Sequence, residues 1–385
     1  MATSVALEPQ TTDGNMSNTL TAPDQTTAGK PHYEVLDGLR GTAAVMVVLF
    51  HIMGMTVAWA DSGQLLHHAA MAVDFFFALS GFVVAYAYDD RWKTMSTGRF
   101  FLIRVVRLHP LVVLGAVFGL LSFLFDPFAA NQKTIPLATV LSDFALACFL
   151  LPYPSLPNRW TDTHSLNSPA WSLMQEYIGN IAYALILRRL STRVLGCVVV
   201  LAAAALVFMA WHANTVDQGS DWTTPWGGPT RMGFSFTLGL WLYRIRDKVP
   251  KPRLGWIVLS LILIAAFALP HVPDSLAHGN GLYEAACVIL LFPLIILAGA
   301  HSGIGPREMA ACKVAGRISY PIYILHFPFL FIYMNFVTFR KPSLDTAHIA
   351  GTIAFIVVAA VAWLALKVYD EPIRKALKPL TRARS

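Results

Sequence analysis

Two ionisable residues stand eleven apart in an apolar stretch, Arg40 and His51, in Leu36-Asp37-Gly38-Leu39-Arg40-Gly41 running on to Phe50-His51-Ile52. On an α-helix eleven residues turn through about 1100°, three turns plus about 20°, so both side chains leave one face. Their axial separation is about 16 Å. This spacing suits an elongated anion, held by Arg40 at one mouth of a membrane and reaching His51 deeper in. A neutral imidazole, with a reference pKa of about 6.5, can take a proton from a hydroxyl near neutral pH. A plainer reading stands beside it, with Arg40 a snorkelling anchor and His51 an interhelical hydrogen-bonder.

Other polar residues interrupt apolar runs. Asp74 and Ser80 lie in Ala72-Val73-Asp74-Phe75-Phe76-Phe77-Ala78-Leu79-Ser80-Gly81-Phe82. Asp74 could orient a histidine by accepting its N–H, whereas Ser80 and Gly81 read better as helix packing. Arg104 and Arg107 are i, i+3 and could clamp a phosphate, although positive-inside anchoring explains them equally. Glu176 lies about two turns into a run that opens at Asn167-Ser168-Pro169, and it needs a partner or a task. Tyr320, Tyr323 and His326 repeat every three residues and share roughly one face, a stripe that fits ligand binding or amphipathic packing. His67-His68 reads as loop surface. Trp222, Trp226, Gly227 and Gly228 could stack on a sugar, but interfacial tryptophan is the commoner use.

The elements that must hold these groups are set by composition. Of 385 residues 56% are hydrophobic and only 13% charged, too few charges for a soluble or disordered chain. The net charge of +7 lies in short clusters between apolar runs, which excludes a nucleic-acid-binding reading and indicates a polytopic membrane protein. Four scattered cysteines give neither a zinc site nor a disulfide framework, and no metal is expected. Apolar segments run at 42–60, 69–88, 108–126, 137–151, 169–187, 194–212, 229–246, 254–270, 281–299, 319–338 and 347–367. Segment 137–151 is short and carries Asp143. If it stays out of the membrane and the N-terminus is inside, the inside loops and tail collect 21 basic residues against four outside.

The expected fold is therefore all-α, with about ten transmembrane helices and a short re-entrant or surface helix near 137–151. Residues 1–34 are expected to be a disordered cytoplasmic tail rather than a leader, 35–375 the membrane domain, and 376–385 a basic cytoplasmic tail. No internal repeat is visible, which disfavours an inverted-repeat transporter. Walker A, GxSxG, HExxH and Rossmann patterns are missing.

Five motifs in this order resemble the acyltransferase-3 family of integral membrane acyltransferases. They are Arg40 with His51, Phe76-Phe77-Ala78-Leu79-Ser80-Gly81-Phe82, Arg104-Val105-Val106-Arg107-Leu108-His109-Pro110, Trp171-Ser172-Leu173-Met174-Gln175-Glu176, and Ser319-Tyr320-Pro321-Ile322-Tyr323-Ile324-Leu325-His326. The resemblance covers about residues 33–375. Ala72 stands where the family usually has Gly, His109 where an aromatic is common, and no fused esterase-like domain is expected. The resemblance implies an acyl-CoA donor, most often acetyl-CoA, with no permanently bound cofactor. It implies transfer to a hydroxyl of a carbohydrate or glycoside at a bacterial inner membrane.

On that reading His51 is the general base, an acyl-histidine intermediate being the rival. Arg40, Arg104 and Arg107 hold the donor, Asp74 or Glu176 orients His51, and Tyr320, Tyr323 and His326 bind donor or acceptor. Partners are the acceptor and the bilayer, with room for a homo-oligomer or an extracytoplasmic partner protein. A transporter or flippase for a sugar- or polyprenyl-linked substrate is the alternative, and a non-catalytic scaffold the third.

Overall fold

A computed structural model describes residues 32–60, 63–129, 134–273 and 275–381. The expected N-terminal tail lies, through residue 31, outside the described residues, as do 382–385 of the C-terminal one. Among the described residues there is no strand, only an isolated bridge between Asp162 and Asp221.

The helices are α1 Glu34–Thr56, α2 Ala72–Tyr88, α3 Thr97–Leu124, α4 Leu137–Cys148, α5 Ala170–Leu185, α6 Thr192–Ala213 and α7 Gly227–Ile245. They continue as α8 Trp256–Ala268, α9 Gly279–Ala286, α10 Phe292–His301, α11 Pro306–Arg340, α12 Leu344–Ala365 and α13 Glu371–Leu377. A π-helical stretch, Cys287–Leu291, joins α9 to α10, and another, Leu366–Asp370, joins α12 to α13. Serine caps open three helices: Ser96, Ser191 and Ser343 accept from Arg99 N, Val194 N and Thr346 N.

Every segment expected to span is helical, but the count of ten does not follow. Seven helical runs are long and apolar enough to cross: Glu34–Thr56, Ala69–Tyr88, Thr97–Leu124, Thr192–Ala213, Gly279–His301, Pro306–Arg340 and Leu344–Thr381. Three fall short for separate reasons. The helix expected over 254–270 begins after Gly255 and stops before Pro270, leaving 13 residues, about 20 Å. The one over 169–187 keeps 16 residues. The helix α7 has 19 residues, but Arg231, Arg244 and its small polar residues lower its hydropathy. Segment 137–151 forms the 12-residue α4, too short to cross, as expected. The basic tail expected from 376 continues the helical body through Thr381, whose carbonyl accepts from Arg99 Nε.

Two pairings position the site. Helices α1 and α11 lie parallel, with Arg40 beside Gly316 and Ser319 and His51 beside His326. Gly316 permits this, since a Cβ there would stand 2.5 Å from Asp37 Cβ. Helix α2 packs on α7 as closely: a Cβ on Gly81 would stand 2.1 Å from the Phe236 carbonyl oxygen. Membrane helices associate through such small residues, because lipid offers no hydrophobic drive between helices.

Candidate active site

His51 sits near the end of α1 with its ring stacked on His326, centroids 5.5 Å apart. Phe327 packs on both rings. His326 Nδ1 lies 2.7 Å from the Tyr323 carbonyl oxygen, which only accepts, so Nδ1 carries the proton and Nε2 keeps its lone pair. That Nε2 is buried without a hydrogen-bond partner, and so is His51 Nδ1. Two imidazoles with unused nitrogens in an apolar wall are costly unless something completes them.

His51 opens onto a cavity of about 290 Å³. Tyr323 and Phe327 of α11, Val73 of α2 and Trp171 of α5 line it, with three loops contributing Trp59, Trp160–Asp162, and Asp217, Ser220 and Asp221. Trp59 and Trp160 have φ of 63° and 49°, left-handed backbone that disfavours side chains by about 1–2 kcal/mol each. The surrounding packing holds them there: Trp59 meets Phe50 and His51, and Trp160 meets Phe327 and Phe331. Strain of this kind concentrates at functional sites.

The loop carrying Trp160 is built on buried polar groups. Arg159 is fully buried with its guanidinium over the Phe331 ring at 4.2 Å, and burial lowers its pKa to about 10. Burial also raises the Asp162 carboxyl to about 7, opposed by a hydrogen bond from Ser168, and lowers the His164 imidazole to about 4. Asn167, just before α5, donates to the Ile324 carbonyl oxygen at 2.8 Å. That oxygen would ordinarily accept from residue 328, but Pro328 has no N–H. Asn167 therefore repairs the ladder of α11 beside His326.

Asp74 and Glu176 do not orient His51. Asp74 is fully buried and takes two bonds from Arg231 of α7, at 3.1 Å from Nε and 2.8 Å from Nη2, plus a long one from Ser235. The guanidinium offers two donors and a full opposite charge, which an imidazole cannot match. Glu176 is taken by Arg104 at 2.6 Å and by Ser80 Oγ at 2.8 Å. So Ser80, expected only to pack, also donates.

At the other end of α1, Arg40 bonds Ser319 Oγ, the Gly316 carbonyl oxygen and Asp37, all at 2.9–3.0 Å. Its neighbours Arg104 and Arg107 diverge: Arg104 is buried on Glu176, while Arg107 is exposed and makes no hydrogen bond or ion pair among the described residues. Arg40 and Arg104 lie within electrostatic range of Arg107. The tyrosine stripe is used residue by residue. Tyr320 donates to the Leu108 carbonyl oxygen, Tyr323 shares a 2.7 Å bond with Ser172 Oγ, and His326 meets His51.

Sequence reasoning missed Arg231, Trp59, Trp160 and Asp162. Arg231 carried a usable signal, an arginine within the apolar run 229–246. The loop residues carried none. His68, expected at the surface, is fully buried and sits 2.8 Å from Glu284. Trp226, a possible sugar platform, is 80% exposed, and neither it nor Trp222 is among the residues lining the cavity.

A bundle of apolar helices in which His51, backed by the buried His326, lines an aromatic-walled cavity defines an integral membrane protein with an enzyme-like site. The acyltransferase-domain model of the acyltransferase-3 family matches residues 33–367, and the chain belongs to that family of transferases. It is similar to "Protein 2 in picA locus" of Rhizobium radiobacter, 35% identical over 197 residues, 47% of this chain and 94% of that one. It is also similar to the acyltransferase MdmB of Streptomyces mycarofaciens, 26% identical over 321 residues, 76% and 77% of the two chains. A third relative is the peptidoglycan O-acetyltransferase OatA of Listeria monocytogenes, 23% identical over 366 residues, 88% of this chain and 55% of that one. No solved structure matches the chain.

Proposed function

We propose that this protein is an O-acyltransferase that moves an acetyl group from acetyl-CoA to a hydroxyl of a carbohydrate or glycoside, with His51 as general base. The observation that carries the reading is His51 lining the cavity, stacked on His326, with Nδ1 unpartnered. His51 takes the acceptor's hydroxyl proton as the oxygen attacks the thioester carbonyl. The tetrahedral intermediate expels the CoA thiolate, and the imidazolium returns the proton to sulfur. Arg107 of α3, within electrostatic range of Arg40 and Arg104, supplies positive charge for the CoA phosphates at the Arg40 end of α1, Arg40 itself lying about 16 Å along that helix from His51. Three indoles and several carboxyl and hydroxyl groups in the cavity suit the apolar faces and hydroxyls of a sugar. In this reading both termini are cytoplasmic, the membrane is the bacterial inner membrane, and the cavity faces outward.

The test is thioester cleavage. Purified protein receives acetyl-CoA labelled in the acetyl group together with candidate acceptors. Free CoA and labelled product are followed beside His51→Ala of matched thermal stability. Release that falls about 10²–10⁴-fold in the variant, with label on the acceptor, is the expected outcome. Movement of label across vesicles without thioester loss would establish the transporter alternative instead.

A further inference from the structure

We propose that the cavity above His51 selects an acceptor bearing an amine, accepts a neutral one less well, and rejects an anionic one. The inference rests on the acyl-transfer reading for what the bound molecule undergoes, but not for its charge. Three carboxylates line the cavity, Asp162, Asp217 and Asp221, and no Lys or Arg does so among the described residues.

The decisive group is Asp162. It is 4% exposed, it lines the cavity, and its Oδ2 has no hydrogen-bond partner. A buried carboxylate oxygen left open is an acceptor awaiting a donor. The other two are partly committed. Asp221 accepts from the backbone and hydroxyl groups of Thr223 and Thr224. Asp217 faces Arg231 at 3.7 Å, with about half of its side chain exposed.

The cations behind the wall do not reverse the sign. Arg231 is already matched by Asp74, and Arg159 lies within electrostatic range of Asp162. Four acidic side chains, Asp74, Asp162, Asp217 and Asp221, thus lie against these two guanidiniums; where Asp162 holds its proton it is neutral, and a bound ammonium draws that proton off whereas an anion does not. Glu284 adds a further carboxylate within range of Asp74 and Asp217, paired with His68. The indoles of Trp59, Trp160 and Trp171 reinforce the preference, because an aromatic face attracts a cation. A carboxylate or phosphate on the acceptor would meet this field at short range beside the buried Asp162, where like charges repel.

Three methyl glucosides that differ only at C6 make the test: the 6-amino-6-deoxy compound, the parent alcohol and the glucuronide. Binding of each to the purified full-length chain is measured by saturation-transfer NMR near neutral pH, and acetyl transfer to each is measured separately. The expected order is amine, alcohol, uronate, with about tenfold or more between the first and last. Asp162→Asn is expected to collapse the gap, weakening the amine more than the alcohol. Asp217→Asn serves as a second variant and is expected to narrow it. Equal binding of all three, tightest binding of the uronate, or no binding by any would overturn the proposal. Ranked binding without transfer would sink the acyl-transfer reading and leave this inference standing, while transfer without ranking would do the reverse.

Discussion

At the start of α1, Arg40 is tied to Ser319, Gly316 and Asp37; three turns on, His51 rests against His326 with a ring nitrogen unused. The first end is internally satisfied and the second is not. Arg40 spends its donors clamping α1 to α11, which fixes the register that sets His51 beside His326. On the proposed reading, positive charge for the donor then falls to Arg107, the member of the Arg104/Arg107 pair left exposed. The open end keeps buried polar atoms unpaired, at a cost of about 1–3 kcal/mol each, which a bound substrate can offset. The contrast teaches where protein structure stops and substrate begins.

Each end also has an Asp–Arg pair, and these two, Asp37–Arg40 and Asp74–Arg231, sharpen the comparison. Asp74→Ala strands the fully buried Arg231, which ties α2 to the loop bearing Asp217. The expected loss is about 3–5 kcal/mol of stability, read as a fall in thermal unfolding temperature in detergent. Asn167→Ala leaves the Ile324 carbonyl oxygen unpaired beside Pro328 and is expected to cost about 1–2 kcal/mol. Asp37→Ala removes a partly exposed partner of Arg40 and is expected to cost below about 1 kcal/mol. If Asp37→Ala destabilised more than Asp74→Ala, the assignment of the two ends would be reversed.

A pH-dependent effect follows from Asp162, whose burial raises its carboxyl to about 7 against the opposing hydrogen bond from Ser168, with Asp221, Arg159 and Asp217 also facing it. The folded state keeps a proton that the unfolded chain, with a carboxyl near 4, has released. Stability therefore declines as pH rises from about 4 to about 7, and Asp162→Asn is expected to flatten that slope. Denaturant titrations across this range check it. A slope unchanged by the substitution would mean the carboxyl is ionised throughout.

The legible part of this site lay in helices. Arg40, His51, Glu176 and His326 interrupt apolar runs, where a polar group is conspicuous, and the structure gathers them in two clusters. Partner choice was less legible: Asp74 could have met a histidine as readily as an arginine until α7 was seen packed on α2. Trp59, Trp160 and Asp162 come from loops, which carry no period to reveal which way a residue faces. The count of ten spans is not confirmed for a related reason, because apolar length in the sequence ignores where Gly255 and Pro270 end a helix.

The division between the two ends is tested most directly by kinetics with acetyl-CoA varied at saturating acceptor. His51→Gln is expected to lower kcat by about 100-fold or more while the donor's half-saturation moves little. Arg107→Gln is expected to do the opposite, raising donor half-saturation about tenfold at nearly unchanged kcat. Full turnover in His51→Gln, or the same split of effects in both variants, would contradict the account.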